Sequence, residues 1–179
     1  MRLWDAEMSV EAASLDIGEQ GHSLAWSQDG RWLCVGCRNG AFKILEVDRE
    51  KDLLSMALAK KPFTEQVSAV AFSHDCEKLV VSSHKQIGVY SALKDFTRLG
   101  RCKGHTSCVT AMDWSLDGDF LRSSSTDHEL LYWDVAACQQ ITASGPLRDV
   151  QWARPDCVPV SAAPALNAIG QGLVTLSRR

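Results

Sequence analysis

The feature of this sequence that most constrains its fold is a repeat of about 40 residues. One aromatic residue marks the repeat: Trp26, Phe72 and Trp114 lie 46 and 42 residues apart, and Trp152 follows after a further 38. The first three each end a run of alternating apolar residues and precede a Ser-x-Asp turn. Alternation with period two predicts β-strands, because successive side chains of a strand point to opposite faces of its sheet.

The copy of the repeat between residues 104 and 135 is the most regular. Its alternating runs are separated by turn sequences and occupy residues 108–114, 120–125 and 129–134. Residues 21–48 follow the same plan, so Gly21-His22 is predicted to correspond to Gly104-His105. Residues 67–92 form a more divergent copy. The chain therefore contains three related units of similar size.

Strand-rich repeats of this length predict an all-β protein, a β-propeller in which each repeat forms one four-stranded blade. About three complete blades are predicted, with a partial blade at each end, so the propeller is expected to be partial and open. The predicted units are residues 1–19, the end of a truncated blade; residues 20–62, 63–103 and 104–143, three blades; and residues 144–179, a partial blade with a poorly defined tail.

The first residues carry a mark that normally closes a repeat. Trp4-Asp5 ends a short apolar run, although no repeat precedes it in this sequence. We interpret residues 2–5 as the third strand of a blade and residues 9–17 as its outer strand. The sequence is therefore expected to be a piece of a larger propeller protein.

The last segment, residues 154–179, departs from the repeat and is rich in Ala, Pro and Gly. Residues 166–169 and 173–177 are candidates for the shortened strands of a further blade. The alternative is a segment without a folded structure. Both interpretations fit the residues.

The charge of the chain limits the partners that it can have. Its formal net charge is −3, whereas binding to nucleic acid or to an anionic membrane requires a basic surface. No apolar run approaches the ~20 residues of a membrane-spanning helix, and the first residues are charged where a signal peptide is apolar. We therefore expect no nucleic acid partner, no membrane partner and a cytoplasmic location.

The residues that could bind a metal ion or take part in catalysis are scattered along the sequence. The seven cysteines, an odd number, fit free thiols in a reducing compartment. Cys34 and Cys37 have the spacing of a metal or redox site, but residues three apart in one predicted strand point to opposite faces. Asp29, Asp75 and Asp117 recur once per repeat, which indicates turn formers. No cofactor and no metal site are therefore predicted.

The marks of the repeat resemble those of the WD40-repeat family over roughly residues 1–152. The resemblance is strongest in the unit 104–143, where the marks are Gly104-His105, Asp117-Gly118, Asp127 and Trp133-Asp134. It is weaker in the two preceding blades, where Glu46-Val47-Asp48 and Tyr90-Ser91 replace Trp-Asp. The resemblance implies the same propeller fold as the repeat.

His105, Asp127 and a serine at position 123 or 125 could be taken for a Ser-His-Asp catalytic triad. The family resemblance implies a structural role instead, because such residues in WD40 blades form a buried hydrogen-bond chain with the closing tryptophan. A chain of this kind satisfies polar groups at the ends of short strands. We therefore assign His105, Ser123 or Ser125, Asp127 and Trp133 to a structural hydrogen-bond chain, and no residue to catalysis.

Two stretches resemble one WD40 family more closely, the echinoderm microtubule-associated protein-like (EML) family. Residues 30–48 contain Val-Gly-x-x-Asn-Gly and an apolar close in place of Trp-Asp. Tyr132-Trp133-Asp134 is followed by Arg148-Asp149-Val150-Gln151-Trp152-Ala153, a combination that is not a general feature of WD40 blades. The chain therefore resembles a fragment of the C-terminal propeller of this family.

The resemblance implies a non-enzymatic scaffold for protein partners. In the full-length context these partners would be tubulin or microtubules, which places the protein at the cytoskeleton. The alternative is a WD40 adaptor subunit of a protein complex with a partner other than tubulin. A propeller suits both roles, because its strands hold the recognition loops on a stiff frame.

An open propeller also leaves surfaces that a closed one covers. Closed propellers have 4–8 blades, and closure removes the exposed ends of the blade series. An arc of about three and a half blades leaves unpaired backbone and apolar blade faces at its two ends. Self-association through these open edges is therefore expected.

Overall fold

The computed structural model describes residues 1–5, 7–48, 51, 53–143, 145–153 and 175–176, and it confirms an all-β fold. The strands are β1 (Arg2–Asp5), β2 (Val10–Ser14), β3 (Gly21–Trp26), β4 (Trp32–Cys37), β5 (Phe42–Asp48), β6 (Leu53–Lys60), β7 (Val67–Phe72), β8 (Lys78–Ser83), β9 (Gln86–Ser91), β10 (Thr97–Lys103), β11 (Val109–Trp114), β12 (Phe120–Ser125), β13 (Leu130–Asp134), β14 (Gln139–Ile141) and β15 (Thr175–Leu176). The helical turns in this part of the chain, Ala92–Lys94 and Gly145–Leu147, are too short to cross a membrane.

Three four-stranded antiparallel sheets follow one another along the chain. Sheet I contains β3–β6, sheet II contains β7–β10 and sheet III contains β11–β14. Consecutive strands pair with each other in every sheet, because the turns between them are short. A smaller sheet, sheet N, pairs β1 with β2 in antiparallel and with β15 in parallel orientation. The sheets form an arc that does not close, which confirms the predicted partial propeller.

Apolar side chains fill the space between successive sheets. Strand β4 illustrates the arrangement: Cys34 packs in the layer between sheets I and II, whereas its neighbours Leu33 and Val35 pack between sheets N and I. A third layer lies between sheets II and III and includes Val89 and Trp114. Sheets I and II each lie between two other sheets, so both of their faces are buried and several of their strands are nearly continuous apolar runs. The inner strands β3, β7 and β11 lie next to one another along the arc.

The first and second strands of sheets I, II and III are joined by the same turn. In sheet I, the Ser27 hydroxyl accepts a hydrogen bond from the Trp32 backbone N–H at 2.8 Å and lies 2.5 Å from Asp29 Oδ1. The equivalent serine–aspartate pairs are Ser73–Asp75 in sheet II and Ser115–Asp117 in sheet III. The prediction that the three recurring aspartates are turn formers is confirmed.

The opening Trp4-Asp5 lies in β1, and β2 pairs with it as an antiparallel neighbour. The Asp5 carboxylate accepts hydrogen bonds from the backbone N–H groups of Glu7 and Met8 at 2.9 and 3.0 Å, which supports the turn between the strands. Strand β2 ends at Ser14, earlier than the predicted range 9–17. Ile17 instead packs in the core between sheets N and I.

The segment around Trp152 lies beside the end of sheet III. The spacing predicts a fourth inner-strand aromatic, and Trp152 packs on Arg122 and Tyr132 of sheet III at the positions where Trp114 packs on Val80 and Val89 of sheet II. Trp152 lies in no described strand, but it forms an isolated antiparallel bridge with Ser115 at the end of β11. The Ala153 N–H donates to the Trp114 carbonyl at 2.9 Å, and the Leu116 N–H donates to the Gln151 carbonyl at 2.8 Å. The predicted strand 166–169 lies outside the described residues, and β15 falls within the predicted strand 173–177.

Candidate functional site

Ser123 lies at the centre of a buried hydrogen-bond network in sheet III. It is part of β12, and its side chain has no exposed surface. Its Oγ lies 2.6 Å from His105 Nε2 and accepts a hydrogen bond from Trp133 Nε1 at 2.7 Å. On the other side of the ring, His105 Nδ1 lies 3.2 Å from Glu129 Oε2. The network therefore connects the loop before β11 with β12, β13 and the turn between them.

One assignment of protons satisfies all four groups of this network. The Glu129 carboxylate can only accept, so His105 Nδ1 carries the ring proton and donates it. His105 Nε2 is then an acceptor, and the Ser123 hydroxyl donates to it. The Ser123 oxygen keeps a lone pair for the Trp133 N–H. His105 is therefore neutral when the network is complete.

Ser125 and Asp127, which the sequence also assigns to the chain, form a separate group at the adjoining turn. The hydroxyls of Ser125 and Thr106 both donate to the Asp127 carboxylate. The bond from Ser125, followed by the bond from Thr106, lowers the pKa of Asp127 to about 2. The structure thus places Glu129, rather than Asp127, against the His105 ring.

Glu129 is the member of the network that the sequence reasoning missed. Its carbonyl accepts the Ser125 N–H at 3.1 Å, which closes the turn between β12 and β13. This turn directs the Asp127 side chain to Thr106 and the Glu129 side chain to His105. Two acidic residues in four positions were visible in the sequence, but only the turn geometry decides which of them reaches the ring.

The positions of His105, Ser123 and Trp133 carry no such hydrogen-bond network in the other two complete sheets. Strand register gives the correspondence, because Leu121 pairs with Trp133 in sheet III as Leu79 pairs with Tyr90 in sheet II. Positions 105, 123 and 133 correspond to Phe63, Val81 and Tyr90 in sheet II and to Ile17, Val35 and Leu45 in sheet I, and all six residues are buried. Among the described residues the Tyr90 hydroxyl has no hydrogen-bond partner. Of the three four-stranded sheets, only sheet III carries this hydrogen-bond network.

The predicted correspondence between Gly21-His22 and Gly104-His105 is wrong. His22 is exposed and lies within β3, four residues before Trp26, whereas His105 precedes Trp114 by nine residues. The buried position that matches His105 belongs to Ile17. The spacing to the inner-strand aromatic is the signal that separates the two Gly-His pairs.

The order Ser123–His105–Glu129 has the connectivity of a hydrolase triad, but its surroundings differ from those of a catalytic centre. Ser123 Oγ already accepts the Trp133 N–H, and neither the serine nor the His105 ring is exposed to a substrate. A nucleophilic serine requires free access and donors for an oxyanion. The arrangement can instead hold a loop, two strands and a turn together.

The cysteine pair at positions 34 and 37 is divided between two layers of the core, as predicted from its position in one strand. Cys34 packs between sheets I and II, and Cys37 packs between sheets N and I. Burial raises the pKa of both thiols, which keeps them protonated. Within the part of the chain that the structure describes, His, Cys, Asp and Glu side chains form no group of three that could hold a metal ion.

One face of the arc presents the three Ser-x-Asp turns side by side. We name this surface the turn face and define it by residues 27–30, 73–76 and 115–118. The variable residues of the turns, Gln28, His74 and Leu116, are exposed. A cavity of about 200 Å³ opens between them and is lined also by Trp26 and Phe72. The serine–aspartate bonds hold these exposed side chains on a stiff frame.

The motif at residues 148–153 covers the outer side of sheet III. The Arg122 guanidinium lies 4.8 Å from the centre of the Trp152 ring, and the Tyr132 ring lies 5.7 Å from it. Arg122 also donates two hydrogen bonds to the Asp113 carboxylate, at 2.8 and 3.1 Å. Of the other motif residues, Arg148 and Asp149 are exposed and Val150 is half-buried. Trp152 is therefore the motif residue whose ring packs against Arg122 and Tyr132 of sheet III.

The buried His105 makes stability depend on pH. Burial lowers the pKa of His105 below its ordinary value of about 6.5, although the Glu129 carboxylate opposes this shift. A group with a lower pKa in the folded state stabilises the protein above its ordinary pKa, and this contribution is lost as the pH falls. We expect the free energy of unfolding to fall below pH 6.5, by at most about 1.4 kcal/mol per pH unit.

Urea unfolding at several pH values between 8 and 5 measures this dependence. The His105→Phe variant should lose the slope below pH 6.5. The matched control is His128→Asn, which removes an exposed histidine from the adjoining turn and should keep the slope. An unchanged slope in the His105→Phe variant would contradict the assignment.

Comparison with known proteins identifies the family. Residues 1–163 match the family model described as the second beta-propeller of the echinoderm microtubule-associated protein. The chain is 36% identical to echinoderm microtubule-associated protein-like 2 of Rattus norvegicus over 88% of this chain and 24% of the relative. It is 37% identical to echinoderm microtubule-associated protein-like 3 of Homo sapiens, over 87% of this chain and 18% of the relative.

The 77 kDa echinoderm microtubule-associated protein of Strongylocentrotus purpuratus is 34% identical over 84% of this chain and 22% of that protein. The chain thus spans less than a quarter of the length of these relatives. A chain in the crystal structure of the mitotic checkpoint complex has the same fold, with a TM-score of 0.64, 24% identity and coverage of 76% of this chain and 41% of that chain. The match over residues 1–163 and the identities to these relatives show that the chain belongs to the echinoderm microtubule-associated protein family and corresponds to part of its second β-propeller.

Proposed function

We propose that this chain is a non-enzymatic interaction scaffold that associates with microtubules or tubulin, in the context of a full-length protein at the cytoskeleton. The observation that carries the proposal is the match of residues 1–163 to the second propeller of a microtubule-associated protein. Relatives at 34–37% identity carry the same description in their names. At this identity the frame of strands is shared, and the loops that such a frame holds carry recognition.

The proposed contact surface is the turn face. Its exposed residues Gln28, His74 and Leu116 occupy equivalent positions on three successive sheets, so they form a row along the arc. The turns that carry them are fixed by hydrogen bonds between serine and aspartate side chains. A preorganised row of side chains loses little conformational entropy when a partner binds.

A structural role for the network around Ser123 supports the non-enzymatic part of the proposal. The hydroxyl that would act as nucleophile is buried and bonded to Trp133. The cavity at the turn face is lined by none of the residues of this network. A scaffold requires stiffness of the frame, and a buried network of this kind provides it.

Co-sedimentation with microtubules tests the proposal. A longer version of the chain with its flanking blades restored is expected to pellet with microtubules. The double variant His74→Glu/Leu116→Glu in that longer version is expected to bind about tenfold more weakly, because it introduces two negative charges into the proposed contact surface. The matched control is Lys85→Glu, an equally exposed change at the turn between β8 and β9.

Each sample is also spun without microtubules, since the open ends of the arc are proposed to let the 179-residue chain self-associate and pellet alone. Light scattering gives the size of such particles. No microtubule binding by the longer version would overturn the microtubule proposal and favour an adaptor with another partner. Equal weakening by Lys85→Glu would overturn the assignment to the turn face.

A further inference from the structure

Two thiols meet where the outer strand of sheet II approaches sheet III. Cys102 lies in β10 and is fully buried, whereas Cys138 lies in the turn between β13 and β14 and is half-buried. Both side chains belong to the apolar layer between the two sheets. They form a dithiol that connects two sheets across 36 positions of sequence.

Gly100 provides the space in which the Cys138 sulfur lies. Gly100 and Cys102 are two residues apart in β10, so they face the same side of the strand. A Cβ atom at Gly100 would lie 2.3 Å from Cys138 Sγ and 3.2 Å from Cys138 Cβ. A side chain at position 100 would therefore displace the sulfur. Because Gly100 has no side chain, the Cys138 sulfur can lie against β10, next to Cys102.

The two thiols are not equivalent. Burial raises the pKa of Cys102 to about 12 and also raises that of Cys138. The Cys138 S–H donates to the Val135 carbonyl at 3.4 Å. Cys138 is also the more exposed residue of the pair. A reagent from solution would therefore reach Cys138 first.

We propose that Cys102 and Cys138 are an oxidation site that joins sheets II and III by a disulfide when a disulfide oxidant such as glutathione disulfide is supplied. The Cys138 thiolate attacks one sulfur of glutathione disulfide, the oxidant's S–S bond breaks, and one glutathione leaves with a proton. The Cys102 sulfur then attacks the Cys138 sulfur of the mixed disulfide and releases the second glutathione, again with a proton. The protein loses two protons and two electrons, and one glutathione disulfide becomes two glutathione molecules.

The rate of this reaction has a defined pH dependence. The thiolate is the reacting species, and the raised pKa of Cys138 keeps it scarce at neutral pH. The rate is therefore expected to rise about tenfold per pH unit between pH 7 and pH 9. An activated thiol with a low pKa would instead react at a nearly constant rate over this range.

Peptide mass spectrometry of the folded 179-residue chain after incubation with glutathione disulfide tests the proposal. The expected product is a peptide pair joined by Cys102 and Cys138, with a melting temperature about 5 °C higher that reverts on reduction. The Cys102→Ser variant is expected to accumulate glutathione on Cys138. The matched control is Cys108→Ser, which removes another half-buried thiol of the same region and should leave the product unchanged.

Circular dichroism verifies that each variant is folded. The proposal is overturned if no Cys102–Cys138 product forms at pH 9 in the folded chain. It is also overturned if the same product requires denaturant, or if Cys108 is cross-linked as readily as Cys102. The outcome is independent of the proposed microtubule association, because the assay contains no partner protein.

Discussion

Replacement of Gly40 by alanine is expected to lower the free energy of unfolding by about 4 kcal/mol. Gly40 has φ +84°, a backbone conformation that disfavours side chains by about 1–2 kcal/mol. A Cβ atom there would also lie 2.2 Å from the Phe63 carbonyl oxygen, so the backbone between sheets I and II would have to move, an overpacking cost of about 1–3 kcal/mol. The Gly40 carbonyl accepts the Phe63 N–H at 3.3 Å, a contact that this movement would break.

Gly18→Ala is the matched control for this prediction. Gly18 has a similar conformation, with φ +66°, but nothing lies within 4 Å of a Cβ atom at its position. Its replacement should cost only the conformational part, about 1–2 kcal/mol. Urea unfolding followed by circular dichroism measures both variants. Equal losses for Gly40→Ala and Gly18→Ala would show that the contact with Phe63 is unimportant.

Replacement of Ser123 by alanine is expected to cost about 3 kcal/mol. Alanine adds no volume at this buried position, but it removes the acceptor of the Trp133 N–H and the donor to His105 Nε2. Two buried polar groups are then left without partners, and each costs about 1–3 kcal/mol. Urea unfolding at pH 8 measures this loss with His105 neutral.

The triple variant His105→Phe/Ser123→Val/Trp133→Phe separates lost hydrogen bonds from lost packing. It installs in sheet III the residues that sheet II carries at Phe63 and Val81. Phenylalanine replaces Trp133 because a tyrosine hydroxyl would have no partner there, like that of Tyr90. Replacement of all partners together leaves no buried imidazole, hydroxyl or indole unsatisfied, so we expect it to recover about 1 kcal/mol of the loss. A triple variant less stable than Ser123→Ala would indicate that sheet III cannot pack an apolar set.

Those parts of the fold that depend on local patterns were predictable from the sequence. Period-two alternation located the first three strands of sheets I, II and III, but not the outer strands β6, β10 and β14. The recurring Ser-x-Asp turns were recognisable because their hydrogen bonds join residues two to five positions apart. The two glycines of Val-Gly-x-x-Asn-Gly were visible as a motif, but the sequence does not show why glycine is required at these positions. Cβ atoms at Gly36 and Gly40 would collide with Val67 and Phe63, residues of the next repeat.

The parts of the candidate site that depend on contacts between distant residues could be predicted only partly. The participation of His105 with Ser123 and Trp133 was expected, but Glu129 was missed, because the turn from Thr126 to Glu129 decides which carboxylate faces the ring. The spacing of Trp152 placed it in the series of inner-strand aromatics, and its ring packs on sheet III as that of Trp114 packs on sheet II. Its isolated bridge to Ser115 was not predictable, because it depends on the direction in which the chain leaves sheet III.

The arrangement of the core in layers between sheets has a consequence for cooperativity. Each layer is shared by two neighbouring sheets, so the free energy of the arc is approximately a sum of terms for single sheets and for adjacent pairs. Sheets I and II each take part in two layers, whereas sheets N and III each take part in one. Loss of an end sheet removes one interface, but loss of sheet I or sheet II removes two. Partial unfolding therefore starts at the end sheets N and III, and opening of sheet I or sheet II divides the molecule.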